Sequence, residues 1–348
     1  MQQTATVRSA MLAGLDVTPL TIDVDITPGP PQLTLVGVGD IVAHEAISRV
    51  RCAFKASGFE VPRQRVVVQV SPAEARPRGT QLDLAIAVAI LVASQQVTVP
   101  LDDPLLVGEL SLDGRVLPVR GLACYSDYCT DHGLTLLCPK SSDHISHVPL
   151  DTLGGLPAVD WSRRTTSRLT PVHPQLQCLS EALRAVLRAC LGTNRVLLLR
   201  GADGPVSSSV IALQRSIPTL TQGQCDEARR IHSACSAPFE GEPPFRCPHH
   251  AISQAGMIGG GRPVLPGEVT LASHGLLLLS DIERFDRGVL ASLRVALRDR
   301  EVRVVRVEGT WHMPAVPSLT VATTRDTKTP AERLLGPIAG LGFEEVRL

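Results

Sequence analysis

At 348 residues the chain is too long for one ordinary core and suits two domains, and its 44% hydrophobic against 20% charged residues exclude a disordered tail. Its 34 basic and 34 acidic residues cancel, which removes any global pull toward nucleic acid and leaves only local basic patches to consider. Aromatics are 3% and the apolar content is mostly Val, Leu and Ala, a bias that fits an α/β chain of alternating strands and helices.

In chain order, residues 20–37 read as two strands flanking a Pro/Gly turn. Thr21, Asp23 and Asp25 alternate with Ile22, Val24 and Ile26, giving one wet and one buried face. Residues 41–58 carry a helical pattern, with Val42, Ala46, Val50 and Phe54 four apart and Gly58 as the stop. Residues 65–71 make another strand. Residues 82–94 are apolar almost all round and predict a buried helix of about four turns. Residues 105–121 read as a hairpin with Asp113-Gly114 at the turn. Residues 150–176 are rich in Gly, Pro, Ser and Thr and mark a linker, after which a short amphipathic helix at 178–191 leads onward. The expected domains are therefore 1–170 and 194–348, joined by a linker and helix at 171–193.

Nine cysteines lie between Cys52 and Cys247, an odd number with no C-x-x-C pair. A secreted disulfide framework would be even and clustered, so the expectation is a reducing, cytoplasmic setting. Cys124 and Cys129 are the closest ligand-like grouping, read as a metal pair or as small buried thiols. No leader pattern and no membrane-length apolar run is present, so no membrane partner is expected.

Residues 196–208 (VLLLRGADGPVSS) place a buried strand, a glycine-containing turn and a helix start in succession. A phosphate-binding loop needs that context. Its glycines let backbone N–H groups close around phosphates, a lysine meets the β- and γ-phosphates, and a Ser or Thr hydroxyl faces Mg²⁺. The template G-x-x-x-x-G-K-[ST] falls on Gly201, Val206, Ser207 and Ser208. Gly201 and Gly204 remain for an anion and Ser208 for a metal, but Val206 replaces the second template glycine and Ser207 the lysine. Taken alone, the loop also reads as an ordinary strand–turn–helix corner.

Residues 245–285 add an ordered series: Phe245-Arg246-x-Pro248-His249-His250, Gly259-Gly260-Gly261, Pro266-Gly267-Glu268, and Gly275 followed by four leucines. With these segments the chain resembles the Mg-chelatase-like AAA+ family and its ComM/YifB branch. In the first half LTLVGVGD, RVRCAFKASGFEVP, LDLAIAVAI and GELSLDGRVLPVRG resemble the same branch, so the likeness spans residues 5–345. It implies a P-loop AAA+ core, ATP and Mg²⁺ as cofactors, and a ring-forming, typically hexameric, homo-oligomer that moves on DNA; the ComM branch is associated with branch migration in natural transformation. The first half also resembles the Lon-protease-type fold, similar to the second domain of ribosomal protein S5. The Ser and Lys of a Lon-type site fall on Gln81 and Ala123, which removes a peptidase reading.

Further positions that the family uses depart from its pattern. The Walker B pair, an Asp for Mg²⁺ and a Glu for water, falls on Ser280-Asp281, leaving Asp281 as a displaced metal ligand or shorter base. The sensor position at the end of the next strand is Thr324 where the family carries Asn. The family's cysteine-rich insert is skipped, its Asp-Arg motif reads Ile338-Ala339-Gly340-Leu341, and the sequence stops at Leu348 before the helical lid. The resulting expectation is a ComM-like protein with weak or no hydrolysis, with Asp281 and Thr324 as degenerate catalytic positions, Gly201, Gly204, Ser207 and Ser208 on nucleotide, and Ser208 and Asp281 on Mg²⁺. Partners follow as copies of itself, an intact paralogue, or DNA. The alternative is a non-catalytic structural subunit or decaying gene product that binds no nucleotide. His249 and His250 are weighed as metal ligands against a loop role, and Arg294, Arg298, Arg300, Arg303 and Arg306 as a DNA-facing loop against a solvated face.

Overall fold

The computed structural model describes residues 3–100, 104–141, 143–172, 195–202, 206, 209–210, 213–214, 217–324 and 329–347. The chain divides into two compact units, Met1–Arg168 and Leu169–Leu348. The expected linker helix at 178–191 lies outside the described residues.

In the first unit, β1 (Gln3–Ala13) and β2 (Asp16–Thr27) form a long antiparallel hairpin closed at Gly14 and Leu15. β3 (Gln32–Val36) and β4 (Arg65–Ser71) extend the sheet on one side. β5 (Pro104–Leu106), β8 (Thr135–Cys138), β9 (Ser146–Pro149) and β10 (Thr165–Thr166) extend it on the other, giving the order β10-β9-β8-β5-β1-β2-β4-β3. The two expected strands of residues 20–37 are present, but they do not pair with each other. Both pair with β4, β2 antiparallel and β3 parallel. Ile22, Val24 and Ile26 are buried as the alternation requires, packing with Val66, Val68 and Val70 of β4.

Helices α1 (Asp40–Ala56) and α2 (Asp83–Ala93) cover that buried face. α2 is apolar on every side because every side is packed, and it has 11 residues, three turns rather than four. Gly37 enters α1 with φ +88°, and a Cβ there would lie 2.2 Å from the Val70 carbonyl oxygen, so the turn admits only glycine. The expected hairpin shrinks to the short pair β6 (Glu109–Leu110) and β7 (Val116–Leu117), since β5 belongs to the large sheet. α3 (Leu122–His132) packs Tyr125, Cys129 and Ala123 against the opposite face of the sheet with Ala10 and Leu105.

One charge pair sits inside this unit. The Asp83 side chain is 2% exposed, and Arg49 grips it with two hydrogen bonds, Nε–Oδ2 2.6 Å and Nη2–Oδ1 3.1 Å. Burial pushes the Asp83 carboxyl up to about 6 against the opposing pull of Arg49.

The second unit is built on five parallel strands in the order β12-β15-β18-β11-β19: β11 (Val196–Arg200), β12 (Phe245–Arg246), β15 (Leu276–Ser280), β18 (Ser318–Thr323) and β19 (Phe343–Arg347). β11, β15 and β18 are buried on both faces, which explains the apolar runs at 196–199 and 276–279; β18 instead buries Ser318, Thr320 and Thr323 among its apolar residues. Around them stand α4 (Gln222–Ala234), α5 (Gln254–Ile258), α6 (Glu268–Leu271), α7 (Arg287–Asp299) and α8 (Ala331–Leu335), with the small hairpins β13 (Gly259–Gly260) with β14 (Leu265–Pro266) and β16 (Glu301–Arg306) with β17 (Gly309–Pro314). α4 opens on a reciprocal Thr221/Gln224 capping box, and α7 on Asp286, whose carboxylate accepts from the N–H groups of Gly288 and Val289. Among the described residues no helix is long and apolar enough to cross a membrane.

Candidate nucleotide site

A parallel sheet presents its ligand crevice at the carboxyl ends of its strands, where loops leave and backbone donors stand free. In the second unit that edge gathers Gly201 after β11, Ser280 and Asp281 at the end of β15, Thr323 and Thr324 at the end of β18, and Cys247 to His250 after β12. The expected site residues that can be seen therefore lie at the same edge of one sheet. The Gly201 N–H donates to the Thr323 carbonyl at 3.4 Å, so the loop leaves β11 in register with β18. Helix starts again by Val206, whose N–H donates to the Ala202 carbonyl at 3.1 Å. Gly204, Ser207 and Ser208 lie outside the described residues.

The acid pair is where the edge departs most from a metal site. Ser280 is exposed, and its hydroxyl lies 3.8 Å from the Cys247 thiol, a neutral contact where a carboxylate would bring charge. Asp281 donates its N–H to Ala322 at 3.0 Å and sits in the left-handed region at φ 54°, which Asp tolerates better than most residues. Its carboxylate is 4.0 Å from the Arg284 guanidinium. Two residues on, Glu283 accepts a hydrogen bond from the buried Thr323 hydroxyl at 3.3 Å, which ties the end of β15 to the end of β18. Sequence reasoning passed over Glu283 because its link to the edge runs across strands, and passed over Cys247 because it falls at an unspecified motif position. Arg200, the last residue of β11, is 2% exposed; its guanidinium donates to the Thr329 carbonyl at 2.8 Å and lies 3.6 Å from Glu345.

The oxygen donors of Asp281, Glu283, Ser280 and Thr324 suit a hard cation such as Mg²⁺, which needs only one or two carboxylates and keeps waters. Among the described residues, no three His, Cys, Asp or Glu side chains converge as a metal site. The His249 and His250 rings lie tilted against each other, 39° from parallel with centroids 4.0 Å apart, and His250 meets Phe285 edge-on at 6.4 Å. Cys124 and Cys129 are buried in α3, in the first unit. At the Lon-type positions the Gln81 backbone carbonyl accepts from the Gly108 N–H and Ala123 is fully buried; an amide and a methyl side chain offer neither nucleophile nor base.

Other motif residues turn out to be architectural. Arg246 holds Glu268 with two hydrogen bonds of 2.6 Å each, which joins the Phe245-Arg246 and Pro266-Gly267-Glu268 segments; the carboxylate raises the guanidinium's already high pKa. A Cβ at Gly275 would fall 1.8 Å from the Pro244 carbonyl oxygen. The five arginines considered as one DNA-facing loop are distributed over two elements and the cap between them instead. Arg294 and Arg298 are on α7, Arg300 is its left-handed C-cap, and Arg303 and Arg306 are on β16. Arg298 is paired with Asp299 at 2.7 Å.

Known proteins resemble this chain's sequence over most of its length. The family described as "Subunit ChlI of Mg-chelatase" matches residues 22–142, and "Magnesium chelatase, subunit ChlI" matches residues 175–330. The uncharacterized protein Rv2897c of Mycobacterium tuberculosis is 33% identical over 381 aligned residues, covering 98% of this chain and 75% of that protein. YifB of Escherichia coli is 29% identical, covering 87% of this chain and 64% of its own length. Competence protein ComM of Haemophilus influenzae is 30% identical, covering 89% of this chain and 66% of its own. The 381-residue alignment is longer than this 348-residue chain, so the relative carries internal segments that this chain lacks. With two matched regions and relatives along nearly its whole length, the chain belongs to the Mg-chelatase ChlI-type family, in its ComM/YifB branch.

Proposed function

We propose that this protein is a ComM-like AAA+ subunit that holds ATP weakly at the carboxyl edge of its five-stranded sheet and hydrolyses it slowly or not at all. The observation that carries this reading is the Ser280–Cys247 contact, a neutral hydroxyl and thiol where the family's metal-binding carboxylate belongs. In the bound state the backbone N–H groups around Gly201 and Gly204 and the hydroxyls of Ser207 and Ser208 would take the phosphates, and Asp281 with Ser208 would hold Mg²⁺. The ion supplies charge neutralisation at the phosphoryl oxygens. Thr324 would orient a water with one hydroxyl, less than an amide offers. Ser207 brings no cation to the β- and γ-phosphates, and Leu341 brings none at the lost Asp-Arg position. An arginine in such a role is worth about 10³–10⁵ in rate in related phosphoryl-transfer enzymes.

The same reading places the protein in the cytoplasm as a member of a ring, formed with its own copies or with an intact paralogue, and in contact with DNA. A titration with a fluorescent ATP analogue, with and without Mg²⁺, tests it. Saturable binding that weakens in Asp281→Ala, without turnover, is the expected result. Absence of saturable binding at millimolar nucleotide would leave the structural-subunit alternative. Turnover that branched DNA stimulates and Asp281→Ala abolishes would make the protein an active motor instead.

A further inference from the structure

A cleft of about 520 Å³ opens on the α3 side of the first unit's sheet, opposite the face that α1 and α2 cover, and Pro19, Leu20, Pro72, Leu105 and Leu134 line it beside its polar groups. Its floor follows one rung of the sheet. Ser71 of β4 pairs with Thr21 of β2, Thr21 with Arg8 of β1, and Arg8 with Leu105 of β5. Its wall is the last turn of α3, where the Tyr128 and His132 rings stack with centroids 4.0 Å apart and planes 24° from parallel.

Three groups in this cleft stand ready for a ligand. Arg8 is exposed and makes no ion pair or side-chain hydrogen bond among the described residues, and the Tyr128 hydroxyl likewise has no partner there. His132 Nδ1 lies 2.8 Å from the Tyr128 carbonyl oxygen; a carbonyl only accepts, so Nδ1 carries the proton and Nε2 is left open. Among the described residues, no carboxylate lines the cleft. A planar aromatic wall, an exposed guanidinium and small hydroxyls on an otherwise apolar floor match a planar ring that carries an anion.

We propose that this cleft binds a nucleotide unit, its base against the Tyr128–His132 stack and its phosphate on Arg8. The site takes no part in phosphoryl transfer and lies in a different unit from the loop after β11. The unit can come as a free mononucleotide or as one residue of a single strand, since base and phosphate are the same in both. In the second case the cleft is one source of the DNA contact proposed above.

The test uses the full chain without ATP or Mg²⁺. Fluorescence anisotropy follows a labelled oligothymidylate, with thymidine 5′-monophosphate as competitor, and a 5-iodouracil-bearing oligonucleotide is photo-crosslinked and mapped by mass spectrometry. Arg8→Glu and Tyr128→Ala should each weaken binding about tenfold or more, and the crosslink should fall in the peptide that contains Tyr128. Tyr128 is partly packed against the core, so the exposed His132→Ala provides a second test of the aromatic wall in a variant that stays folded. Competition by the monophosphate assigns the cleft to free nucleotide, and strand-only binding assigns it to single-stranded nucleic acid; both support the proposal. Failure of both probes to bind saturably overturns it. So does oligonucleotide binding that Arg8→Glu, Tyr128→Ala and His132→Ala leave unchanged, although DNA contact elsewhere on the protein would then still stand.

Discussion

The interior joints of the second unit and its carboxyl sheet edge carry motif residues of the same family, yet they have gone different ways. At the joints, Arg246 still grips Glu268 and Gly275 still passes under the Pro244 carbonyl, in the chemistry the fold requires. At the edge, an exposed serine faces a cysteine, and Thr324 follows the end of β18. The difference is physical. A joint is held by neighbours on several sides, so a change there leaves a clash or an unpaired charge, whereas an edge residue faces solvent and its replacement costs the fold little. A fold of this kind can therefore outlast its chemistry.

The strongest way to break that contrast is in the first unit, whose buried ion pair is the extreme case of a joint. Arg49→Ala leaves the Asp83 carboxylate, 2% exposed, without its partner, and should cost about 3–5 kcal/mol of stability at neutral pH in urea denaturation. The loss should shrink in acid, where Asp83 takes up a proton. In the wild type the folded-state pKa of Asp83 is raised from 3.8 to about 6. A raised carboxyl contributes stability that is fully present below 3.8 and lost as the pH climbs through about 6. Wild-type stability relative to Asp83→Asn should thus fall across that window, by up to about 1.4 kcal/mol for each pH step of one crossed within it. A flat difference between the two proteins would mean that Arg49 fully offsets the burial.

The joints of the second unit should answer less strongly but still clearly. Gly275→Ala forces a methyl into the Pro244 carbonyl and should cost about 1–3 kcal/mol, read as a lowered urea midpoint. Arg246→Ala removes a pair whose side chains are 34% and 20% exposed, so the expected loss is nearer about 1 kcal/mol after allowance for solvent. If either variant proved as stable as wild type while an edge substitution did not, the division between joint and edge would be wrong.

Local pattern made part of this visible in the sequence. β2 alternates cleanly because one face is wet and the other is core, and α2 shows itself by being apolar all round. β1 does not alternate cleanly: Ala5 and Val7 face the α1–α2 core, whereas Ala10 packs on the other side under α3, so its burial switches face partway along. β5 reads as one arm of a local hairpin until its pairing with β1 and β8 is seen, and those partners are distant in sequence. Residue types gave the expectation of a departure from the family pattern at Ser207 and Ser280. They could not reveal that Glu283 is tied to Thr323, since that link exists only once β15 and β18 lie side by side.

The smallest stability effect is also the sharpest test of the edge. Ser280→Asp puts a carboxylate back beside Asp281, at an exposed position whose hydroxyl makes only the long contact with Cys247. Without metal, stability should change by no more than about 0.5 kcal/mol, a slight loss from crowding Asp281 and Glu283 with a third negative charge. With Mg²⁺ the sign should reverse, because a cation held among those oxygens relieves the repulsion and binds only the folded protein. The melting temperature of Ser280→Asp should therefore rise with Mg²⁺ and fall back with a chelator, while the wild type responds more weakly. An identical Mg²⁺ response in both proteins would show that Asp281 and Glu283 already form a sufficient cation site, and the edge would then have kept more of its chemistry than the Ser280–Cys247 contact implies.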